Sequence, residues 1–418
     1  MVTPEQWRRA AAEPLEGLAT LEIEIDMKIV MIGDLYDERL QYQDNLFAKY
    51  YGRHGHEVTM IASTFENAFD YYAERYDKCA PAREYWDGRT KVIKLPYSIN
   101  FLNRLRKFGG VRQILMAEKP DLIFSHDIHL NLVDAVWYRR RHPECRIIMD
   151  YHADFSNSAR NWLSLLLLHR MTRKQLLKYC RSAIDRIYPI VPAGADFLHQ
   201  VYGVPYEEMT LLPLGADTDL AAEVRASGSR GEIRRQLGIP DDALAIFSGG
   251  KLTQAKRTHV LLQALRLLPS KRVHVVVVGD AGPKDTVYKE ALLEMAGADP
   301  RVHFIGWVDG ADVYRYMSAC DVAVFPASQS ALWQQALSMG LPLIVGHVGV
   351  ADPSYMNLYG NLTILPEDAI TPETIARHIA EFAADRELLA ERQALSLRVA
   401  NELLNYHKLV QETLQNVA

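Results

Sequence analysis

Four short apolar runs between residues 246 and 345 limit what this chain can become. They are Ile246-Phe247-Ser248-Gly249-Gly250, Val273-His274-Val275-Val276-Val277-Val278-Gly279, Val302-His303-Phe304-Ile305-Gly306 and Val322-Ala323-Val324-Phe325-Pro326. Each stops on glycine or proline, and helical segments lie between them. Apolar strands alternating with helices make a parallel sheet wrapped by those helices. Such sheets bind ligands at the carboxyl ends of their strands, where these small residues stand. Lys251 and Lys256, five positions apart at the first strand end, point to an anionic ligand.

The chain has 418 residues, enough for two domains of about 200 residues each. Its formal net charge of −5, with acids and bases mixed and no long basic tract, excludes an ordinary nucleic-acid binder. Cys79, Cys145, Cys180 and Cys320 form no CxxC pair, so neither a zinc site nor a disulfide framework is indicated, and a reducing cytoplasm fits. No apolar run reaches the roughly 18 residues that span a bilayer. No long apolar core follows Arg8 and Arg9, as a signal peptide would require.

Residues 1–26 read as an appendage, with a short helix starting near Pro4 and an alternating stretch from Leu21 to Ile25. The main fold is expected from Met27. A strand over 28–34, a helix carrying Leu46, Phe47 and Tyr50, and a strand over 57–62 form a βαβ opening. Residues 66–90, aromatic and charged with weak periodicity, read as an insertion or long loop. Further strands are expected over 92–95, 121–125, 146–152 and 187–191. Residues 226–231 read as a loop beside a hinge, and 372–418 as helices with a break near 383–386. The segment 158–182 is helical by pattern, with a leucine run near Trp162 followed by five basic residues. It either buries its leucines against the first sheet, the reading preferred here, or rests on an anionic membrane. Arg104, Arg106, Lys107 and Arg112, near Phe101 and Phe108, would extend its basic patch.

Five segments together resemble the retaining, GT4-like (group 1) glycosyltransferases of GT-B fold. They are Gly55-His56-Glu57-Val58, Pro213-Leu214-Gly215-Ala216-Asp217, Gly250-Lys251-Leu252 with Lys256, Val302-His303-Phe304-Ile305-Gly306, and Gln335-Ala336-Leu337-Ser338-Met339-Gly340-Leu341-Pro342. The resemblance implies an α/β architecture of two Rossmann-like domains facing a cleft. Those domains are placed at 27–214 and 215–390. A last helix, 391–418, is expected to return to the first domain and complete a two-stranded hinge. The implied reaction moves a sugar from a UDP- or GDP-linked donor to a hydroxyl acceptor, with retention and without a metal or other cofactor. Nucleic acid is not an expected partner. The cysteine usage gives a cytoplasmic location, and the residues of 158–182 add peripheral membrane contact as an accompanying expectation.

By the same resemblance, Gly250, Lys251 and Lys256 hold the donor pyrophosphate, and Gly279 leaves room for the donor. Val308, Ser330, Ala331 and Leu332 complete the donor set, with the helix after Ser328 offering its N-terminal N–H groups. The family often carries two glutamates eight positions apart; here Ala327 and Gln335 occupy those places, and the amide of Gln335 is left to meet the ribose. His152, at a strand end, is expected near the transferred sugar, and Asp127 near the acceptor hydroxyl. A metal site from His126, Asp127, His129 and His152 is disfavoured, because no tight ligand spacing stands out. The rival reading is an inactive homologue that binds a nucleotide sugar or a partner enzyme, and the missing glutamate pair favours it.

Overall fold

In a computed structural model the described residues are 4–11, 26–158, 162, 164–327, 329–350 and 352–415. The apolar runs become two sheets in two compact units, residues 1–214 with 406–418, and residues 215–405. The first sheet contains β1 (Lys28–Ile32), β2 (Glu57–Ser63), β3 (Arg83–Asp87), β4 (Thr90–Leu95), β7 (Leu122–His126), β8 (Arg146–Tyr151) and β9 (Arg186–Pro189). Their order is β3-β4-β2-β1-β7-β8-β9, parallel except for β3, which runs antiparallel to β4. A separate hairpin pairs β5 (Tyr97–Phe101) with β6 (Leu105–Phe108). Strand order reverses between β1 and β7, which places a ligand crevice at the carboxyl ends of those strands.

The second unit contains β10 (Leu244–Gly249), β11 (Val273–Val278), β12 (Val302–Gly306), β13 (Val322–Phe325), β14 (Leu343–His347) and β15 (Leu362–Pro366). Their order is β12-β11-β10-β13-β14-β15, all parallel. Every residue of β10, β11 and β13 is buried, as strands covered on both faces must be. Here the order reverses between β10 and β13, and both of those strands end in the small residues that opened the sequence argument.

Several expectations are corrected. Residues 66–90 hold a helix, Ala68–Tyr72, and the edge strand β3 rather than only loop. Residues 226–231 are not a loop beside a hinge. Helices Thr218–Ala226 and Ser229–Leu237 leave only Ser227 and Gly228 between them. The expected break near 383–386 is a single residue, Asp385, whose side chain caps the helix Arg386–Leu403. A second break at Leu404-Asn405 was not foreseen, so the returning segment is Tyr406–Gln415 and not 391–418. Residues 391–405 stay with the second unit. Tyr406 packs edge-on against Phe47 and stacked against Tyr50, and the Tyr51 hydroxyl lies 2.6 Å from Thr413 Oγ1. At the other terminus, helix Pro4–Ala11 docks through buried Trp7, whose indole donates to the Met209 carbonyl at 3.1 Å. The alternating stretch Leu21–Ile25 lies outside the described residues.

The segment 158–182 departs most from expectation. Residues 159–161 and 163 lie outside the described set, and Ser164–Arg173 is wound as a π-helix continuing into the α-helix Lys174–Cys180. The segment buries His169, Leu177 and Cys180, while Leu166 and Leu167 face solvent. The preferred reading, burial of the leucine run, is overturned for those two residues.

Candidate active site

In the second unit, β10 runs out at Gly249 and the chain turns through Gly250 at φ +98°. The Gly250 N–H donates to the Val278 carbonyl (2.8 Å) and the Leu252 N–H to the Asp280 carbonyl (2.9 Å). These bonds tie the turn to the end of β11. Gly279 has φ +135°, and a Cβ there would lie 2.0 Å from the Gly250 carbonyl oxygen. Glycine is required by both backbone conformation and space. Gly279→Ala is expected to cost at least about 1–3 kcal/mol from backbone strain alone, with the clash in addition. Denaturant unfolding measures this, and a wild-type midpoint would contradict it.

The space over Gly250 is bounded by three side chains. A Cβ placed there would meet Ser330 Oγ at 3.5 Å, Leu332 Cδ1 at 3.6 Å and Lys256 Cε at 3.7 Å. Gly250, Lys256, Ser330 and Leu332 are therefore neighbours, as expected from residues 80 positions apart only if β10 and β13 pair. The Lys256 ammonium donates to the Gln329 carbonyl at 3.1 Å. Burial pushes its pKa down to about 8. Lys251 does not join this group; it is exposed and lies along the following loop, its Nζ 3.5 Å from where a Gly282 Cβ would stand. Val308 is half-buried in the loop after β12. Ala331, not a serine, caps the helix Leu332–Ser338, and Ser328 lies outside the described residues. Ser330 Oγ accepts from the Leu332 N–H at 3.4 Å. Gln335 is buried on that helix, and its Oε1 has no hydrogen-bond partner among the described residues.

In the first unit the register of β7 and β8 sets His126 beside Asp150, and the two-residue strand period puts His152 on the same side. Asp150 is fully buried. Its Oδ2 lies 2.7 Å from His126 Nδ1 and 3.1 Å from His152 Nε2, and its Oδ1 accepts from the Asp127 N–H at 3.2 Å. Burial alone would raise the Asp150 pKa, but the two imidazoles outweigh it and hold the carboxyl well below the usual range. Burial opposes charge on His152 as well. The Asp150 carboxylate overcomes this and raises that imidazole to about 10, so His152 is a cation at neutral pH. Asp44 Oδ1 lies 3.1 Å from His126 Nδ1, and burial raises the Asp44 carboxyl. Gly33, at the end of β1, leaves room for it, since a Cβ there would sit 2.7 Å from Asp44 Oδ2.

Asp127 is half-buried and takes the left-handed conformation, φ +66°. One of its oxygens accepts from the His152 N–H at 3.2 Å, so it props the loop that carries the histidine. The nitrogen of His152 used on Asp150 is Nε2, which leaves Nδ1 for a ligand. Ligand atoms of His126, Asp150 and His152 lie within 4.8 Å of one another. Those atoms already serve each other as hydrogen-bond partners, so a cation would have to displace the protons they share.

Sequence reasoning missed Asp44 and Asp150. Asp150 had a signal in its spacing of two from His152 on a strand; Asp44 had none. It also missed a knot beside them. The Asp34 carboxylate, just past β1, accepts from Tyr71 Oη (2.6 Å), Tyr97 Oη (2.5 Å) and Arg106 Nη1 (2.5 Å). This ties the 66–90 insertion and the β5–β6 hairpin to the first unit's switch point.

Two family models match the chain. "Glycosyl transferases group 1" covers residues 243–385, and "Glycosyltransferase Family 4" covers residues 46–220. An uncharacterised glycosyltransferase of Methanocaldococcus jannaschii is 22% identical over 86% of this chain and 91% of its own length. A D-inositol 3-phosphate glycosyltransferase of Xylanimonas cellulosilytica is 28% identical over 40% of this chain, and the match spans 42% of that relative. Among solved structures, HepE of Anabaena in complex with UDP superposes with a TM-score of 0.68 at 17% identity, covering 94% of this chain and 99% of that one. WaaG, a glycosyltransferase involved in lipopolysaccharide biosynthesis, gives 0.64 at 16% identity, over 93% and 99%. These likenesses give the fold as GT-B.

Proposed function

We propose, since this chain belongs to the group 1 glycosyltransferases, that it moves a sugar from a nucleoside-diphosphate donor to a hydroxyl acceptor with retention of configuration and without a metal ion. The observation that carries the donor side is the convergence of Lys256, Ser330 and Leu332 over the positive-φ turn at Gly250, at a topological switch point. A half-desolvated ammonium beside bare backbone suits a pyrophosphate. As the sugar–phosphate bond breaks, negative charge grows on the leaving oxygen, and a fixed cation lowers that barrier. HepE, whose fold this chain shares, has been crystallised with UDP and with UDP-glucose, which supports a nucleotide-sugar donor here.

His152 is the second element of the reading. As an imidazolium it is a poor base, so its role is to donate from Nδ1 to the sugar or to the developing phosphate charge. Asp127 is proposed to orient the acceptor hydroxyl with the oxygen not spent on the His152 N–H. Gln335 would hydrogen-bond the donor's ribose through its Oε1, which has no partner among the described residues. A reducing cytoplasm suits Cys145, Cys180 and Cys320, which are buried and unpaired. No helix among the described residues is long and apolar enough to cross a membrane.

Nucleoside diphosphate release from a panel of UDP- and GDP-sugars tests the reading, with water or an added alcohol taking the sugar, run with and without excess EDTA. Turnover of at least one donor is expected, at the same rate in both arms. Loss on chelation that manganese or magnesium restores would place a metal in the reaction, with His126, Asp150 and His152 as its first candidates. No release from any donor would refute the transfer itself.

A further inference from the structure

The first unit carries an apolar surface that its own fold does not explain. Along the segment 162–174 the outward positions are Trp162 (74% exposed), Leu166, Leu167 and Met171 (58%). Leu167 and Met171 lie four residues apart on one side of the π-helix Ser164–Arg173, whose turn is wider than 3.6 residues, Leu166 adjoins them, and Trp162 precedes that helix. The tip of the β5–β6 hairpin presents Phe101 (60% exposed) and Leu102 (75%). Arg173 donates to the Arg104 carbonyl at 3.5 Å, which sets that tip beside the helix.

Two further features separate this surface from incidental exposure. The hairpin turns through Leu102 and Asn103 with φ of +52° and +55°, closed by a bond from the Arg104 N–H to the Phe101 carbonyl. That turn favours asparagine and glycine, and a leucine there adds backbone strain while its side chain touches mostly water. The charge is equally one-sided. Residues 164–182 contain Arg170, Arg173, Lys174, Lys178 and Arg181 and no acid, and residues 97–108 contain Arg104, Arg106 and Lys107 and no acid, in a chain of net charge −5. Four of these cations are in ion pairs, Arg104 with Glu74, Arg106 with Asp34, Lys107 with Asp134 and Arg181 with Glu208, while Arg170, beside the apolar stripe, and Lys178 are exposed.

We propose that the π-helix and the hairpin tip together form a docking surface for an anionic lipid bilayer, with Trp162, Leu167, Met171, Phe101 and Leu102 entering the interface and the basic residues meeting lipid phosphates. An apolar stripe with tryptophan and a basic rim is the composition of an interfacial anchor. Each basic residue near an anionic surface adds affinity that salt screens. The surface stands independently of the donor chemistry proposed above.

The test is co-sedimentation of the full chain with vesicles of phosphatidylcholine alone and of equal parts phosphatidylcholine and phosphatidylglycerol. Binding is expected to the anionic vesicles only, weakening as salt rises. The double variants Phe101→Glu/Leu102→Glu and Leu167→Glu/Met171→Glu should each lower the bound fraction at least about tenfold. Both alter exposed residues, so thermal unfolding and donor turnover should stay at wild-type values. Equal binding to both vesicle types, no binding to either, or wild-type binding by both variants would overturn the proposal. So would sedimentation equilibrium showing a self-associated chain that the same variants make monomeric, because a second copy would then cover the patch. Failure of vesicle binding with intact donor turnover would leave the transferase reading in place.

Discussion

Replacing Lys256 by alanine or methionine is expected to weaken nucleoside diphosphate and donor binding by about 1.5–3 kcal/mol, roughly 10- to 150-fold in Kd. Among the described residues the ammonium donates to one carbonyl, that of Gln329, and it is desolvated by its surroundings; on the proposed reading a donor phosphate is its partner. The pH dependence has a definite sign. The free enzyme's Lys256 loses its proton near pH 8, so donor affinity should fall as pH rises through that value in the wild type and not in Lys256→Met. Stability runs the other way. A lysine whose folded pKa lies below its unfolded one destabilises the fold at low pH, and that cost disappears as pH rises from about 8 to about 10.4. Lys256→Met should therefore unfold no earlier than wild type at pH 7. Calorimetric titration with UDP and GDP, beside thermal unfolding of the apo protein, reads both effects. Wild-type affinity in the variant would remove Lys256 from the donor site. Lys251→Ala, whose side chain lies on the 280–285 loop, should have the smaller effect of the two.

Asp150→Asn is the second large effect. The substitution leaves two buried or half-buried imidazoles without their common carboxylate, and breaking a buried ion pair costs about 3–5 kcal/mol. His152 should fall from about 10 towards the ordinary histidine value of about 6.5, so that its charge is lost at neutral pH. The alkaline limb of the kcat profile should move down with it. For stability, the raised His152 contributes fully below about pH 6.5 and loses its contribution as pH climbs to about 10. The depressed Asp150 contributes above about pH 4 and loses its contribution as pH falls further. The stability gap between wild type and Asp150→Asn should therefore be widest between about pH 4 and 6.5 and narrow towards pH 10. Imidazole C–H titration by NMR follows His152 directly. A gap that widened above pH 10, or a His152 titration unmoved by the substitution, would refute the pairing.

How legible the site was depended on whether the signal was local. Gly250 and Gly279 announced themselves, because a strand ending in glycine marks a turn whatever its neighbours do. Lys256 was read together with Lys251, from their spacing after that strand end and from the family resemblance, and the structure sets it beside Gly250. Lys251 was grouped with it, and spacing on a loop does not fix direction. The Asp150–His152 pair was encoded in the i, i+2 period of a strand, yet a buried aspartate reads from sequence as an ordinary strand-end residue. Asp44 enters from a helix more than 100 positions from Asp150, and nothing local connects them.

The fold shows the same division. The long apolar strands of both sheets were readable from composition and period. The β5–β6 hairpin was missed although Tyr97-Ser98-Ile99-Asn100-Phe101 alternates, because its turn carries Leu102 where Asn-Gly would have given the signal. The leucine run at 165–168 was read on a 3.6-residue period, and a π-helix redistributes those positions around its axis. The end of the chain was read as one returning helix because its apolar positions run on past Leu404-Asn405. The break coincides with the boundary between the two units, Asn405 belonging to one and Tyr406 to the other.

The central claim, sugar transfer from a nucleotide donor with retention, is tested most directly by an NMR time course of the first-formed product, using the donor that the panel identifies. The account predicts that the anomeric proton of the product appears with the configuration it had in the donor, and that Lys256→Ala slows its appearance. An inverted anomeric centre in the first product would contradict retention. A chain that binds the donor yet forms no product would contradict transfer, and would favour a nucleotide-sugar-binding subunit in which Gln335 stands where the family often has a glutamate.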